Sequence, residues 1–160
     1  MIIVSDTTSL IVLEKLEVLD LLCRLFKRVI IPRVVLDEIA VGSPGIFKTF
    51  ETMSCFEILD VPKTSRLKSL LLVLDDGEAN AIELAMIKQL PLIIDERKGR
   101  QVAQQLGIKV TGFAGLLIQA CRSKIIEREE AISFLDQAVE NGLRLSDSLQ
   151  LQVRNKLLDE

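Results

Sequence analysis

Short runs of consecutive apolar residues alternate along this chain with longer segments in which apolar residues recur every three or four positions. The short runs predict buried strands, and the longer segments predict amphipathic helices. The predicted strands cover residues 2–5, 29–31, 56–61, 92–94 and 108–110. The predicted helices cover residues 9–26, 32–41, 63–74, 77–89, 97–106, 113–122, 127–140 and 146–158.

The order of these elements indicates the fold class. Apolar strands separated by helices are typical of a parallel sheet covered on both faces, so we predict an α/β fold. The 160 residues fit one domain, since domains most often contain about 100–150 residues. Residues 41–52 are rich in glycine, serine and proline near their start and are predicted as a loop or a flexible pair of helices. The helices of about 127–158 are expected to pack on the core or to bind a partner.

The apolar runs are too short to span a membrane, since a span requires about 20 residues and a long run such as 70–74 contains only a few. The first residues, MIIV, lack the basic region of a secretory signal, so we expect a cytoplasmic protein. The three cysteines, Cys23, Cys55 and Cys121, are odd in number and far apart. We expect them to be reduced thiols in or near the core.

The amino-acid composition excludes several classes of catalytic mechanism and metal site. The chain contains no histidine, which excludes Ser-His-Asp and Cys-His catalysis and His-ligated zinc. It has six Phe and no Trp or Tyr, so few side chains are available to stack on bases. The net charge of −3 provides no overall basic field for nucleic acid. Carboxylates are therefore the plausible agents of any chemistry.

Acidic residues directly follow two of the predicted strands. Asp6 follows the strand 2–5, and Asp95 and Glu96 follow the strand 92–94. Ligands of open parallel sheets bind beyond the carboxyl ends of the strands. Each acid alone is explained at least as well by a helix N-cap. The occurrence of acids at two strand ends indicates a site.

Glu38 lies on the inner side of the predicted helix 32–41 when residues are placed at helical angles, because it projects between Val34 and Val35. We therefore expect Glu38 to be partly shielded from solvent. Its neighbour Asp37 points almost oppositely and is expected to be solvated and paired with Arg33 one turn earlier.

Glu78 occupies the middle of a face formed by Ala81, Ile82 and Ala85, whereas Glu83 lies on the far side of the same helix. A capping box with Asp75 is an equally good explanation for Glu78. A capping role does not exclude a role in a site, because the first turn of a helix tolerates a carboxylate well.

The inner faces that carry Glu38 and Glu78 contain no Lys or Arg to neutralise them. Carboxylates that converge without counterions repel one another and raise one another's pKa. A hard divalent cation with oxygen ligands relieves this repulsion. A Mg²⁺ or Mn²⁺ site therefore follows from the residue types, provided that the fold brings the acids together.

The same positions carry a family resemblance. The segments, in order, are 5–9 (SDTTS), 31–39 (IPRVVLDEI), 76–85 (DGEANAIELA), 93–100 (IIDERKGR) and 110–112 (VTG). As an ordered set they resemble the motifs of PIN-domain nucleases, in the branch with a Gly-Glu-Ala segment, over residues 1 to about 117. At position 96 this chain has Glu where that branch often has Asp.

The resemblance implies a three-layer sandwich with a central parallel sheet, a divalent-metal site and hydrolysis of RNA phosphodiester bonds. Many small proteins of this kind are toxins that a neighbouring antitoxin protein holds inactive, and many form homodimers. The resemblance leaves open the RNA target, the number of metal ions, the oligomeric state and the existence of an antitoxin.

Residues and resemblance together suggest a set of roles. Asp6, Glu78 and Asp95, with Glu96, would hold Mg²⁺ or Mn²⁺, and Glu38 would complete the metal shell or orient the attacking water. Two further groups would contact the metal shell or substrate phosphates: the hydroxyls of Thr8, Ser9 and Thr111, and the cations of Arg97, Lys98 and Arg100. Capping explains Thr8 and Ser9 at least as well, and a solvated helix start explains the three cations.

Two other functions remain open. Asp6 at a strand end would suit the nucleophile of a metal-dependent phosphohydrolase of small phosphate esters, but Thr8 occupies the place where the haloacid-dehalogenase pattern has a second Asp. A non-catalytic PIN-like module that binds a protein partner would use the same acids only as helix caps.

Overall fold

Five parallel strands form one central sheet in the computed structural model, which describes residues 1–159. The strands are β1 (Ile2–Ser5), β2 (Arg28–Pro32), β3 (Phe56–Leu59), β4 (Leu92–Ile93) and β5 (Val110–Thr111). Their order across the sheet is β3-β2-β1-β4-β5, and every neighbouring pair is parallel. The predicted α/β fold with a parallel sheet is confirmed.

Ten helices surround the sheet within residues 1–159. They are α1 (Thr7–Lys15), α2 (Asp20–Leu25), α3 (Arg33–Gly42), α4 (Ile46–Thr52), α5 (Ser65–Leu71), α6 (Asp76–Lys88), α7 (Arg97–Gln105), α8 (Phe113–Arg122), α9 (Arg128–Glu140) and α10 (Asp147–Leu158). Each of these helices in the described part of the chain is too short or too polar to cross a lipid bilayer.

The alternation of side chains along the strands produces three layers. Ile3, Val29 and Ile93 face a hydrophobic cluster that includes residues from α1 to α4 and from α8 to α10. Val4 and Leu92 face a second cluster with residues from α5, α6 and α7. The sheet therefore separates two cores, as the three-layer sandwich requires.

The carboxyl ends of β1 and β4 lie side by side at the centre of the sheet. Ser5 is in register with Ile93, and the backbone N–H of Asp6 donates to the carbonyl of Ile93 over 2.9 Å. The chain builds the sheet outward from β1 in one direction and from β4 in the other. This reversal of strand order creates the crevice in which open α/β sheets bind ligands.

Several predicted boundaries were wrong. The single helix 9–26 is two helices, α1 and α2, separated by a turn in which Glu17 has a φ of 60°. The strand predicted at 108–110 lies at Val110–Thr111, because the chain first turns at Gly107, whose φ is +82°. The third strand ends at Leu59 rather than at residue 61. Residues 46–52 of the predicted loop or helix pair form α4.

The prediction of three reduced thiols was also wrong. Cys23 and Cys55 form a disulfide between α2 and the residue before β3, with their Cα atoms 5.5 Å apart, and Cys121 is free. The two cysteines are 32 residues apart in sequence. Their proximity arises from the packing of α2 beside the β2–β3 edge of the sheet, which spacing along the chain does not reveal.

Candidate active site

Asp6 lies at the carboxyl end of β1, in the N-cap position of α1. Its side chain makes no capping hydrogen bond, which removes the alternative explanation for this residue. The residue is 3% exposed, and Oδ1 has no hydrogen-bond partner among residues 1–159. A buried carboxylate oxygen without a partner is costly, so this atom requires a ligand or a proton.

The surroundings of Asp6 favour its protonated form. The pKa of Asp6 is raised to about 8, mainly by burial and also by the negative charges of Glu78, Asp75 and Glu38, against the opposing hydrogen bond from the Thr7 backbone. Glu38 and Glu78 therefore lie within electrostatic reach of Asp6.

Glu78, in the first turn of α6, has one oxygen that caps the helix and one that is free. Asp75 Oδ1 accepts the backbone N–H of Glu78 over 2.8 Å, and Glu78 Oε1 accepts the backbone N–H of Asp75 over 3.4 Å. Glu78 Oε2 is buried without a partner among residues 1–159. Burial, followed by the charge of Asp75, raises the pKa of Glu78 to about 7. The predicted capping box between Asp75 and Glu78 is therefore present, and it leaves Glu78 Oε2 free to bind a ligand.

Glu38 reaches the site from α3. The hydroxyl of Thr7 donates to Glu38 Oε2 over 2.8 Å, which joins α3 to α1. The helical phase of Glu38 is as predicted, but its expected shielding is wrong, because Glu38 is exposed at the rim of the site.

Asp37 is exposed as predicted. Arg33 pairs with Asp60 at 2.9 Å and not with Asp37, because α3 begins beside the end of β3.

Three glycines make room for the carboxylates. A Cβ on Gly77 would lie 2.8 Å from Glu38 Oε2, and a Cβ on Gly99 would lie 2.9 Å from Glu78 Oε2. A Cβ on Gly112 would lie 2.5 Å from Asp95 Oδ1. Any larger residue at these positions would displace an acid, so the glycines shape the site as much as the acids do.

Asp95 follows β4 but is held differently from Asp6. Its Oδ2 accepts a hydrogen bond from the Ser9 hydroxyl, and its Oδ1 accepts the backbone N–H of Phe113, the first residue of α8, over 3.0 Å. The alternative explanation of Asp95 as a helix N-cap does not hold for α7, because Glu96 occupies that position. Burial raises the pKa of Asp95, while these hydrogen bonds and Arg100 lower it.

The other predicted acid, Glu96, is exposed beside Asp95. Its negative charge raises the pKa of both Glu78 and Asp95, so it lies within electrostatic reach of the two. Thr8 lines a cavity of about 380 Å³ together with Asp95, Glu96 and Arg97. Ser9 binds Asp95 and is not used as a cap.

The predicted phosphate contacts lie around α7 and β5. Arg97 and Lys98 are exposed. Arg100 is half-buried and donates to the carbonyl of Ile94 over 3.1 Å, so it also supports the loop that carries Asp95. Thr111 is half-buried under Gly115, where a Cβ would contact the Thr111 hydroxyl.

Sequence reasoning missed two contributors to the site. It treated Asp75 only as a cap, although the charge of Asp75 raises the pKa of both Asp6 and Glu78. It overlooked Thr7, which holds Glu38. The signal was present in the DTTS and DDGE segments, where Thr7 directly follows Asp6 and Asp75 lies three residues before Glu78.

Glu83, on the opposite side of α6 from Glu78, is fully buried and belongs to a separate arrangement. It accepts hydrogen bonds from Arg66 Nε over 2.6 Å and from the Thr64 hydroxyl over 2.8 Å. The far side of α6 is therefore covered by α5.

The donor set fits a divalent cation. Among residues 1–159, no three Asp, Glu or Cys side chains are arranged to enclose an ion by themselves. Mg²⁺, however, usually keeps several waters and takes only one or two carboxylates from the protein. Asp6 Oδ1 and Glu78 Oε2 are two buried carboxylate oxygens without partners among the described residues, which is what such a cation requires.

A profile of the family DUF3368, described as a PIN domain, matches residues 2–159. The chain belongs to the PIN-domain family. PIN domains are generally nucleases and generally use divalent metals. The resemblance drawn from the sequence motifs is thus confirmed for the PIN family as a whole.

The fold of this PIN domain is also found in a solved structure. It is similar to a PilT N-terminus domain protein, SSO1118, from the hyperthermophilic archaeon Sulfolobus solfataricus P2, with a TM-score of 0.52 and 16% sequence identity. The match covers 72% of this chain and 90% of that protein. At this identity the likeness concerns the fold alone. No curated protein matches the chain.

Proposed function

We propose that this PIN-domain protein is a metal-dependent endoribonuclease that hydrolyses RNA phosphodiester bonds. The observation that carries the proposal is the pair of unpartnered buried oxygens, Asp6 Oδ1 and Glu78 Oε2. The two carboxylates repel each other in the absence of a cation, since the charge of Glu78 raises the pKa of Asp6. A divalent cation held by Asp6 and Glu78 would offset this repulsion.

Asp6 and Glu78 would hold the Mg²⁺ or Mn²⁺ directly or through water, with Asp95 and Glu96 completing the acidic surroundings. When bound, the cation supplies an activated water and stabilises negative charge on the phosphate. Glu38, held by Thr7 at the exposed rim, would orient the attacking water by accepting a hydrogen bond from it. This chemistry requires no histidine.

The remaining polar residues would position the substrate. Arg97 and Lys98 are exposed next to the acids and would contact phosphates, while Arg100 is partly committed to the backbone of Ile94. Thr8 lines the cavity beside Asp95, where its hydroxyl would donate to a phosphate oxygen. These contacts carry no sequence information, so they would position RNA without selecting its sequence.

The biological setting is part of the same proposal. The chain would act in the cytoplasm as the toxin of a toxin–antitoxin pair, as a homodimer, and an antitoxin protein would hold it inactive. Induced expression in a bacterial host would test the toxin role, because growth should stop with the wild type and continue with Asp6→Asn.

A non-catalytic module for binding a protein partner is the second candidate. The capping contacts of Glu78 and Asp95 favour it, because they give both acids a structural role without any metal. A phosphohydrolase of small phosphate esters would use the same metal site on a different substrate.

Incubation with single-stranded RNA separates these candidates. Wild type should cleave RNA in Mn²⁺ and stop in EDTA, whereas Asp6→Asn and Asp95→Asn should lose at least 100-fold in rate, on the order expected for lost transition-state stabilisation. Asp37→Asn is the matched control, because Asp37 is exposed and makes none of the site contacts described above.

Contaminating ribonuclease would cleave RNA equally in all preparations. Cleavage that persists in the Asp6→Asn and Asp95→Asn variants would refute the ribonuclease proposal. Hydrolysis of p-nitrophenyl phosphate without RNA cleavage would favour the small-ester phosphohydrolase, and inactivity on both substrates would favour the binding module.

A further inference from the structure

A groove of about 700 Å³ runs between α7, the start of α8 and α10, and it reaches Asp95 at one end. One wall is a single face of α10, since Ser146, Leu149, Val153 and Lys156 follow one another at intervals of three or four residues. From Ser146 to Lys156 this wall is about 15 Å long at 1.5 Å per residue. We name this feature the α10 groove.

The charge of the α10 groove is opposite to that of the whole chain. Four cations line it, namely Arg97, Arg100, Arg144 and Lys156, and Asp95 is the one acidic lining residue in the described part of the chain. The chain as a whole carries a net charge of −3. Arg97, Arg144 and Lys156 are exposed, and none of the three forms a salt bridge within residues 1–159.

A second cavity joins this groove to two of the acids, Asp95 and Glu96. The cavity that contains Thr8 and Glu96 shares Asp95, Arg97 and Arg144 with the α10 groove. Arg97 and Arg144 therefore lie at the junction between the two cavities, together with Asp95. A polyanion that lies in the groove would be led between these two cations.

We propose that the α10 groove binds the phosphate backbone of a single-stranded nucleic acid and directs the strand past Arg97 and Arg144 to the side of the candidate active site that carries Asp95 and Glu96. The second half of this statement rests on the proposed ribonuclease function, whereas the first half does not. Phosphates along a nucleic-acid strand are spaced about 3.4 Å apart, so the 15 Å wall is long enough for about four of them.

The lining also specifies how the strand is recognised. Aliphatic residues such as Ile118 and Leu149 and polar residues such as Gln152 line the groove, and none of its lining residues in the described chain is aromatic. Bases would therefore lie against aliphatic surface without stacking, and affinity would come mainly from phosphate contacts. Binding should depend strongly on salt and weakly on sequence. The volume of the groove is that of a small-ligand pocket and suits a few nucleotides of single strand rather than a duplex.

Arg144 and Lys156 are the residues that this inference adds. They lie beyond residue 117, where the family motifs end, so the motif resemblance assigns them no role. Arg144 lies in the turn before α10, and Lys156 lies in its last turn. The C-terminal helix thus supplies cations to a site whose acids all come from the first hundred residues.

The test measures binding without cleavage. Fluorescence anisotropy of a labelled twelve-nucleotide uridine oligomer is recorded in EDTA between about 20 and 200 mM NaCl. The groove variant carries Arg144→Gln and Lys156→Gln, and the matched control carries Lys48→Gln and Lys88→Gln, two exposed cations that lie outside the groove. Thermal unfolding verifies that both variants are folded.

Each phosphate contact with a single strand contributes about 0.7 to the slope of log K against log salt. The groove variant should therefore show a slope shallower by about 1.4 and an affinity roughly 20-fold lower at about 0.1 M salt. The control should remain within about twofold of the wild type. Equal affinities in the groove variant and the control, or no binding by the wild type at the lowest salt, would overturn the proposal.

Two further arms separate the possible failures. If the groove variant loses affinity for a ten-residue polyglutamate peptide but not for RNA, the groove serves an acidic protein partner and the proposal is wrong. If the wild type cleaves RNA in Mn²⁺ and the groove variant keeps its kcat/KM, the groove proposal fails while the ribonuclease function stands. If RNA binds through the groove but is not cleaved, the binding role of the groove stands while the ribonuclease function fails.

Discussion

The hydroxyl of Thr7 donates a hydrogen bond to Glu38 Oε2 over 2.8 Å, and this bond joins the helix that follows Asp6 to the helix that follows β2. Gly77 lies under the same pair, where a Cβ would come within 2.9 Å of the Thr7 hydroxyl. Residues 7, 38 and 77 are distant in sequence, yet each limits the position of the others. The Glu38 carboxylate is therefore held in place although it is exposed.

The substitution Gly77→Ala should reduce RNA cleavage strongly while changing the free energy of unfolding only a little. The new methyl group would displace the carboxylate of Glu38 and the hydroxyl of Thr7, so RNA cleavage should fall at least tenfold. The fold should lose less than about 1 kcal/mol, because Ala favours a helix by about 0.5–1 kcal/mol relative to Gly and the displaced groups are side-chain ends. Cleavage rates and urea unfolding measure the two effects.

The control for this substitution is Gly42→Ala at the end of α3, where a Cβ would have no neighbour within 4 Å. It should keep full activity. Full activity in Gly77→Ala as well would show that the position of Glu38 does not matter.

Substitution Glu38→Gln should weaken Mn²⁺ affinity several-fold, because it removes a negative charge close enough to raise the pKa of Asp6. Asp37→Asn should have little effect, because Asp37 points away and is exposed. The shift in Tm on addition of Mn²⁺ measures both variants. Equal effects of the two substitutions would contradict the placement of Glu38 at the site.

The stability of the metal-free protein should decrease as the pH rises. The pKa of Asp6 is about 8 in the folded protein, far above its ordinary value of 3.8, so between about pH 4 and pH 8 the folded chain retains a proton that the unfolded chain has lost. Stability is therefore lost across this range, as the unfolded chain ionises freely while the buried carboxyl resists ionisation, and the loss is complete above about pH 8. Asp6→Asn should remove this effect and stabilise the metal-free protein at pH 8 by a few kcal/mol.

Urea unfolding in EDTA at pH 5 and pH 8 measures the difference. Glu78, with a pKa of about 7 in the folded protein, should leave a smaller decrease in the Asp6→Asn variant. An unchanged pH dependence in that variant would mean that Asp6 is not the buried group responsible.

The positions of the acids could be predicted from sequence because they depend on local rules. A residue that directly follows a central parallel strand lies at the carboxyl edge of the sheet, which placed Asp6 and Asp95 correctly. Helical phase similarly gave the direction of Glu38. What the acids contact depends on the packing of other elements, so the bond from Phe113 to Asp95 was not predictable.

How deeply each acidic side chain is buried was harder to predict than the side of the helix on which it lies. Glu38 is exposed at the rim of the site, whereas Glu83 is fully buried because α5 covers the far side of α6. The disulfide between Cys23 and Cys55 depends in the same way on where α2 packs. Each of these facts is set by a partner that is distant in sequence.

Calorimetric titration with Mn²⁺ at pH 6 and pH 8 tests most directly whether Asp6 and Glu78 hold a divalent cation. The wild type should bind more tightly at pH 8, because protons must leave both carboxyls before the cation can bind. Asp6→Asn and Glu78→Gln should each lose at least tenfold in affinity, and Asp37→Asn should bind like the wild type. A wild type that binds no Mn²⁺, or an Asp6→Asn variant that binds it equally well, would contradict the account.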